Sequence, residues 1–367
     1  SELLPRYKKL SDRGQVELSM TPYAHPIVPL LIDFNSTRDA MPAAPLPSYP
    51  LYPDGLNRAD WHLQHGIEVF KATFDRKPDG VWLSEGAISE AAVKLLDQHN
   101  ISWSASGEGV WHNSTALSGI DTQAADCRKR LFSCNRLPGS ETRLFFRDDG
   151  LSDLIGFEYQ GWNAEDAAAD FVQHLENIAA FTQDAADDHV VSIILDGENA
   201  WEYYPDNAWH FLQSLYKALT SNDKIQPITY QQSCQSCPDV ELPRLAAGSW
   251  VYGTFSTWIG ETDKNRGWEL LVEAKQAFDQ HAGNLDSDIY QQALLQLAIC
   301  EGSDWFWWFG DYNPGGSVRD FDQLYRLQLK RLYDLLKINK TDSLQQPVSE
   351  GGGNADNGGT MRRGHED

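Results

Sequence analysis

Charge-free runs that end abruptly at an acidic residue, with helical sequence between them, constrain this chain more than any other feature. The clearest is Val190-Val191-Ser192-Ile193-Ile194-Leu195, followed at once by Asp196-Gly197-Glu198-Asn199. A short, largely β-branched run of this kind reads as a strand buried on both faces. Its abrupt end pushes two carboxylates and an amide out at the C-terminal edge of the strand. In barrels and open α/β sheets that edge collects functional groups, because its loops vary while the strands stay rigid. Trp201, Tyr203 and Tyr204 follow, and flat apolar rings beside acids suit the faces of sugar rings.

The pattern recurs upstream. Gly80-Val81-Trp82-Leu83-Ser84-Glu85 is a second apolar run that ends in an acid, and Ser89 to His99 then places Ala91, Ala92, Leu95 and Leu96 on one helical stripe. Ile101 to Ser104 reads as the next strand, leading to Glu108, Trp111 and His112. Thr142 to Phe146 is another, ending in the acidic Arg147–Asp153 loop, and Ala164 to Thr182 is helical. Nearer the start, Gly14 to Met20 alternates like a strand that finishes near Thr21, Tyr23 and His25. Pro26 to Ile32 reads as an edge strand, and the proline-rich stretch Met41–Pro53 as a loop. Asp60 to Phe74 is an amphipathic helix on which His62 and His65 read as surface histidines rather than metal ligands. This β-loop-α alternation implies parallel strands inside helices, in a barrel or a doubly wound sheet.

After Trp209 the pattern changes. Phe211–Leu219, Gly267–Asp279, Asp286–Cys300 and Phe321–Leu336 have helical periodicity, and Pro227–Pro243 reads as a loop. Aromatic and acidic clusters interrupt these helices at Trp250, at Phe255 to Trp258 and at Glu301 to Asp311. Thr341 to Asp367 is polar and Gly-rich, with the composition of a disordered tail. The expected organisation is a barrel portion over 1–210, a helical region over 211–340 that completes the cleft, and a tail over 341–367.

Thirty basic residues against 53 acidic ones give a formal charge of −23. That argues against nucleic acid and against anionic membranes, whose affinity comes from basic surface, and leaves a neutral polymer unaffected. No apolar run is long enough to span a membrane. The 13 Trp are a heavy load, and a carbohydrate cleft is one common reason for it. Of Cys127, Cys134, Cys234, Cys237 and Cys300, only Cys234 and Cys237 form a C-x-x-C pair, with no second pair and no His at ligand spacing. A zinc site is therefore not expected. Neither is any cofactor, and the expected location is cytoplasmic.

Two acids at two strand ends, Glu85 and Asp196, are what a retaining glycosidase needs: one attacks the anomeric carbon and the other, protonated, donates to the leaving oxygen. The donor must keep its proton near neutral pH, which takes nearby negative charge or an apolar wall. Trp201, Glu198 and the acidic Arg147–Asp153 loop are candidates for supplying both. At these residues the chain resembles glycoside hydrolase family 57. Trp82-Leu83-Ser84-Glu85 matches its nucleophile segment, Asp196-Gly197-Glu198 its acid/base segment, Gly14-Gln15-Val16-Glu17 its Gly-Gln-x-Glu motif, and Asp304-Trp305-Phe306-Trp307 its late Asp-x-x-Trp.

The resemblance implies a seven-stranded (β/α) barrel followed by a helical bundle, acting on α-glucans such as starch, glycogen or maltooligosaccharides with retention and without a metal. It makes Glu85 the nucleophile and Asp196 the acid/base. Glu17, His25, Trp111, Glu198, Trp201, Trp250, Asp304 and Trp307 are the candidates for contacting substrate. The same residues serve α-amylase, 4-α-glucanotransferase and branching activities. One departure is visible: the family's opening His-Gln-Pro strand has no counterpart here, so the barrel is expected to lack its first strand. A non-catalytic glucan-binding piece is the alternative that this departure raises.

Overall fold

The computed structural model describes residues 2–121, 124–183, 189–197 and 200–353. Five strands form one sheet: β1 (Gly80–Val81), β2 (Trp103–Ser106), β3 (Cys134–Arg136), β4 (Arg143–Phe146) and β5 (Asp239–Glu241). Their order is β1-β2-β4-β3-β5. β1, β2 and β4 run parallel, β3 is antiparallel to β4, and β5 is parallel to β3. Two further segments extend the parallel row by single bridges, Met20 beside Val81 and Ser192 beside Arg147.

Fourteen helices surround this row among the described residues: α1 (Leu3–Asp12), α2 (Val28–Ile32), α3 (Gly55–Phe74), α4 (Glu90–Gln98), α5 (Glu108–Leu117), α6 (Ala125–Lys129), α7 (Asp149–Asp153), α8 (Ala164–Thr182), α9 (Trp209–Thr220), α10 (Tyr230–Ser236), α11 (Thr262–His281), α12 (Ser287–Cys300), α13 (Asp304–Trp308) and α14 (Gly315–Leu335). The fold is thus α/β, with a mostly parallel sheet of the (β/α)-barrel kind and a helical C-terminal region.

Several segments depart from the sequence reading, among them Gly14–Met20, which forms a single bridge at Met20 rather than a strand. Pro26–Ile32 holds a short helix instead of an edge strand, because Pro29 falls in the first turn of α2, where its fixed φ and missing N–H suit a helix start. Val190–Leu195 makes one bridge rather than a full strand, and only Ser192 in it is buried. Val191, Ile193 and Leu195 pack part-buried against a cluster built from α8 and α9. The supposed loop 227–243 contains α10 and β5. A capping box starts α10, with the Thr229 hydroxyl accepting from the Gln232 N–H and the Gln232 side chain accepting from the Thr229 N–H. That Thr-x-x-Gln signal was in the sequence.

The C-terminal helices do not fold apart from the rest. One core cluster joins Ile27, Leu30, Leu31, Phe34 and Tyr52 from the first part of the chain to Trp258, Trp268, Phe306, Tyr325 and Leu329. Trp268 stacks on Phe306 with ring centroids 4.3 Å apart and donates its indole N–H to the Trp258 carbonyl at 2.9 Å. The expected disorder from Thr341 also fails as far as Gly353. Leu344 and Val348 enter that core, the Val348 N–H donates to Asp322, and Gly353 bridges Pro314. Two apolar side chains and a set of hydrogen bonds, Ser343 to Glu273 and Ser349 to Asp263 among them, hold this stretch down. Residues 354–367 lie outside the described residues.

Trp268→Ala should lower stability by about 3–5 kcal/mol, as truncation of a fully buried indole does, and chemical denaturation should report it as a fall in midpoint.

Candidate active site

Parallel strands put every residue that follows a strand end on one edge of the sheet. Glu85 lies just past β1, Glu108 past β2, Arg147 past β4, Asp196 past the Ser192 segment and His25 past Met20. This C-terminal edge is where α/β folds bind ligands.

Glu85 is held in a strained conformation. Its φ of 59° and ψ of 25° place a non-glycine residue in the left-handed region, at a cost of about 1–2 kcal/mol. The next residue, Gly86, also has a positive φ, and a Cβ there would come 2.8 Å from the Trp82 ring, so only glycine fits the elbow. Bonds from both sides fix the turn: the Ser106 hydroxyl donates to the Gly86 carbonyl at 2.6 Å, and the Trp250 N–H donates to the Glu85 carbonyl at 3.2 Å. The Trp250 indole N–H then reaches the carboxylate itself, 3.3 Å from Oε2. Trp82 meets the Trp250 ring edge-on at 5.5 Å. Glu85 and Asp196 are both half-buried, open to an incoming ligand.

Arg147 links the two carboxylate-bearing segments. Its guanidinium lies 5.5 Å from the centre of the Trp250 ring, and its Nε donates to the Ile194 carbonyl at 2.9 Å, two residues before Asp196. Asp149 and Asp153 accept from its two amino groups at 2.7 and 2.6 Å. The acidic loop therefore serves to anchor an arginine, while Asp148 caps α7 by accepting from the Leu151 N–H. Burial pushes the Asp148 carboxyl pKa up, with the Glu108 charge adding to it. Burial also opposes ionisation of Glu108, but bonds from His112 and the Asp149 N–H outweigh it and hold Glu108 below the usual range.

A second group comes from the helical region. The Ser303 N–H donates to the His25 carbonyl at 2.9 Å, and His25 Nδ1 lies 2.7 Å from the Ser303 hydroxyl. Asp304 is therefore beside His25 at the rim. Burial lowers the His25 pKa, against the opposing pull of the Asp304 carboxylate. Behind them Glu301 is fully buried, accepting from Arg58, His62 and Tyr52. Burial works against its ionisation, but the Arg58 guanidinium and the His62 ring more than offset this and hold it down at about 2.

Other sequence candidates fall elsewhere. Glu17 precedes Met20 and so points to the opposite end of the sheet, where it accepts from the Trp103 indole at 2.6 Å and from the Gln231 N–H at 3.0 Å. There it lines a cavity of about 1430 Å³ with Trp103 and Tyr230. Trp111 is only 2% exposed inside the core, with no ring face open to a ligand. Trp201 packs half-buried on the α8–α9 cluster beside Tyr204. Trp307 is buried next to Trp258 at 6.0 Å. Glu198 lies outside the described residues. His62 is fully buried rather than on a helix surface, while His65 stacks on Trp61 at 4.8 Å. Sequence reasoning named Trp82 within a motif and Arg147 within an acidic loop but gave neither a role of its own, although Arg147 stood in the same strand-end position as the acids. It missed the Arg58–His62–Tyr52–Glu301 cluster, for which no local signal exists.

The model of glycosyl hydrolase family 57 matches residues 1–246, and the chain belongs to that family. The fold is similar to a GH57-type branching enzyme from Pyrococcus horikoshii, at 17% identity and a TM-score of 0.65, over 94% of this chain and 70% of that one. It is also similar to an α-amylase from Thermotoga maritima, at 16% identity and a TM-score of 0.67, over 94% of this chain and 72% of that one. A 4-α-glucanotransferase from Thermococcus litoralis matches at 16% identity and a TM-score of 0.60, over 90% of this chain and 50% of that one. No curated protein matches.

Two predictions follow from the site. Trp250→Phe keeps the ring over Arg147 and deletes the N–H aimed at Glu85, and should lower kcat about 10–100-fold, the worth of a hydrogen bond to a charged group. Steady-state turnover of the active enzyme would measure it. The second concerns acid. The folded-state pKa of Glu301 lies below its ordinary value of 4.5, so its contribution to stability is full above pH 4.5 and is lost as pH falls towards about 2. Glu301→Gln should be less stable than the native protein at neutral pH, with the gap narrowing through that window in thermal melts.

Proposed function

We propose that this protein is an α-glucan-active glycosidase of the α-amylase kind, working with retention through two carboxylates. The observation that carries the reading is the strained Glu85 elbow at the C-terminal edge, whose carboxylate is fixed by an indole N–H while its backbone is held from both sides. A left-handed, half-open acid held from both sides at a strand's C-terminal end is the kind of strained position that clusters at functional sites. Family membership supports glycosidic chemistry, and the α-amylase, branching enzyme and glucanotransferase among the structural neighbours support an α-glucan substrate.

In this mechanism Glu85 attacks the anomeric carbon as the leaving oxygen takes a proton from Asp196, giving a covalent glycosyl-enzyme intermediate. Asp196 then draws a proton from water, which attacks the same carbon and restores Glu85. Retention calls for the two carboxyl groups to stand about 5–5.5 Å apart, and the bond from Arg147 to the Ile194 carbonyl, with its guanidinium over Trp250, supports a fixed relation between the two segments. His25 and Asp304 would bind sugar hydroxyls at the rim, and Trp250 would present a ring face. Glu17, Trp111, Trp201 and Trp307 would act on substrate only through the residues that they support.

The test separates the two carboxylates. Glu85→Gln should abolish turnover of every substrate, because no covalent intermediate forms without the nucleophile. Asp196→Asn should fail on maltooligosaccharides, whose leaving group needs a proton, yet spare the first step on an activated aryl α-glucoside. Azide should rescue the Asp196 variant on that aryl substrate, and should not rescue the Glu85 variant with retained configuration. An active Glu85 variant would refute the assignment. Resolving the products of maltooligosaccharides by chain length decides the activity: shorter products alone indicate hydrolysis, longer ones transfer.

A further inference from the structure

His62, at the centre of α3, is completely buried and bonds at both ring nitrogens. Nδ1 lies 2.5 Å from the Tyr23 carbonyl oxygen and Nε2 lies 2.7 Å from Glu301 Oε2. A carbonyl oxygen only accepts, and so does an ionised carboxylate. The Glu301 carboxylate is ionised, since Arg58 grips it through Nε and Nη2 at 2.9 and 2.6 Å and the Tyr52 hydroxyl donates to it at 2.6 Å. A neutral imidazole offers one donor and one acceptor, which would leave a ring nitrogen's lone pair facing an oxygen's lone pair inside the core.

We infer that His62 is held as an imidazolium, a double donor that clips the Tyr23–His25 turn to the Glu301–Asp304 segment and so positions His25 and Asp304 at the candidate sugar-binding rim. The inference rests on the α-glucan reading for what the rim binds, but not for the state of the ring.

The geometry gives the clip something to hold. Ala24 and His25 are consecutive non-glycine residues with φ of 57° and 56°, a strained pair that persists only where its surroundings over-determine it. On one side the His62 ring fastens the Tyr23 carbonyl, and the Tyr23 N–H returns to the His62 carbonyl at 3.0 Å. On the other, Ser303 pairs with His25 through backbone and hydroxyl. Gly302 lies against the Ala24 carbonyl, where a Cβ would sit 3.0 Å away. The turn and the segment therefore meet along three residues, and His62 bonds to both from behind. Two cations share one carboxylate there, with the Trp61 ring 4.7 Å from the Arg58 guanidinium.

The native protein labelled with ¹⁵N-histidine tests the ring directly. Both His62 nitrogens should show protonated shifts with slowly exchanging protons under the conditions of maximal stability, and a neutral, single-tautomer ring would overturn the inference. His62→Gln, which has a donor for only one of the two partners, should shift and broaden the His25 ring signals. It should also lower kcat/KM on a maltooligosaccharide about 10²-fold, the scale of a misplacement near 1 Å. In a His25→Ala background the same change should cost less than about threefold, because the residue through which it acts is gone. Unchanged His25 signals, or the full loss in both backgrounds, would show that His62 is only part of the core. Should the variant fail to fold, the native ring signals still decide. Should the native protein turn over no α-glucan, the functional reading fails while both sets of ring signals stand as tests of the clip.

Discussion

A carboxylate with no water around it has to be matched by donors, and Glu301 is matched by donors that all come from the other side of the molecule. It ends α12 in the helical region, while Tyr52, Arg58 and His62 lie some 240 residues earlier, on α3 and just before it. Burying such a charge is expensive, and leaving it with fewer partners is more so. These bonds fasten the end of α12 to α3 and the segment just before it. What depends on that fastening is directly in front of it: Ser303 meets His25, Asp304 reaches the rim, and the Trp268–Phe306 stack closes the core behind.

The second constraint is strand direction. Because the backbone segments ending before His25, Glu85, Glu108, Arg147 and Asp196 all run parallel, these polar groups are brought to one edge of the sheet. Along that edge Arg147 is a cation buried between the segments of the two candidate catalytic acids, and it is neutralised in place by Asp149 and Asp153. A buried arginine so compensated acts as a strut more than as a field, fixing the Ile194 carbonyl relative to the Trp250 ring.

The structural neighbours include enzymes named for hydrolysis, branching and transfer, all at 15–17% identity. One fold hosts these different outcomes because a fold supplies the scaffold, while the groups grafted on it decide the chemistry. In this chain His25, Asp304 and Trp250, drawn from both parts of the chain, lie at the same edge as the two candidate catalytic acids.

Much of this was legible locally. Uncharged runs ending in acids located Glu85 and Asp196, a serine and a 3.6-residue stripe delimited α4, and the same stripe gave α8 its bounds. These signals lie within a dozen residues, where backbone sterics and side-chain period decide the outcome. What stayed hidden depended on contacts across the chain. The run Val190–Leu195 looks like a fully buried strand, yet it pairs at one residue and leans on α8 and α9. Glu17 sits in a motif with the others but faces the far end of the sheet, because it precedes its extended segment instead of following it. The polar sequence after Thr341 looks disordered, yet Leu344 and Val348 find an apolar cleft already formed. Sequence fixes where a turn or a helix begins through interactions a few residues long. Only the folded chain decides which of its polar groups lose their water, and that loss is what made a clip of His62, a strut of Arg147 and a core residue of Trp111.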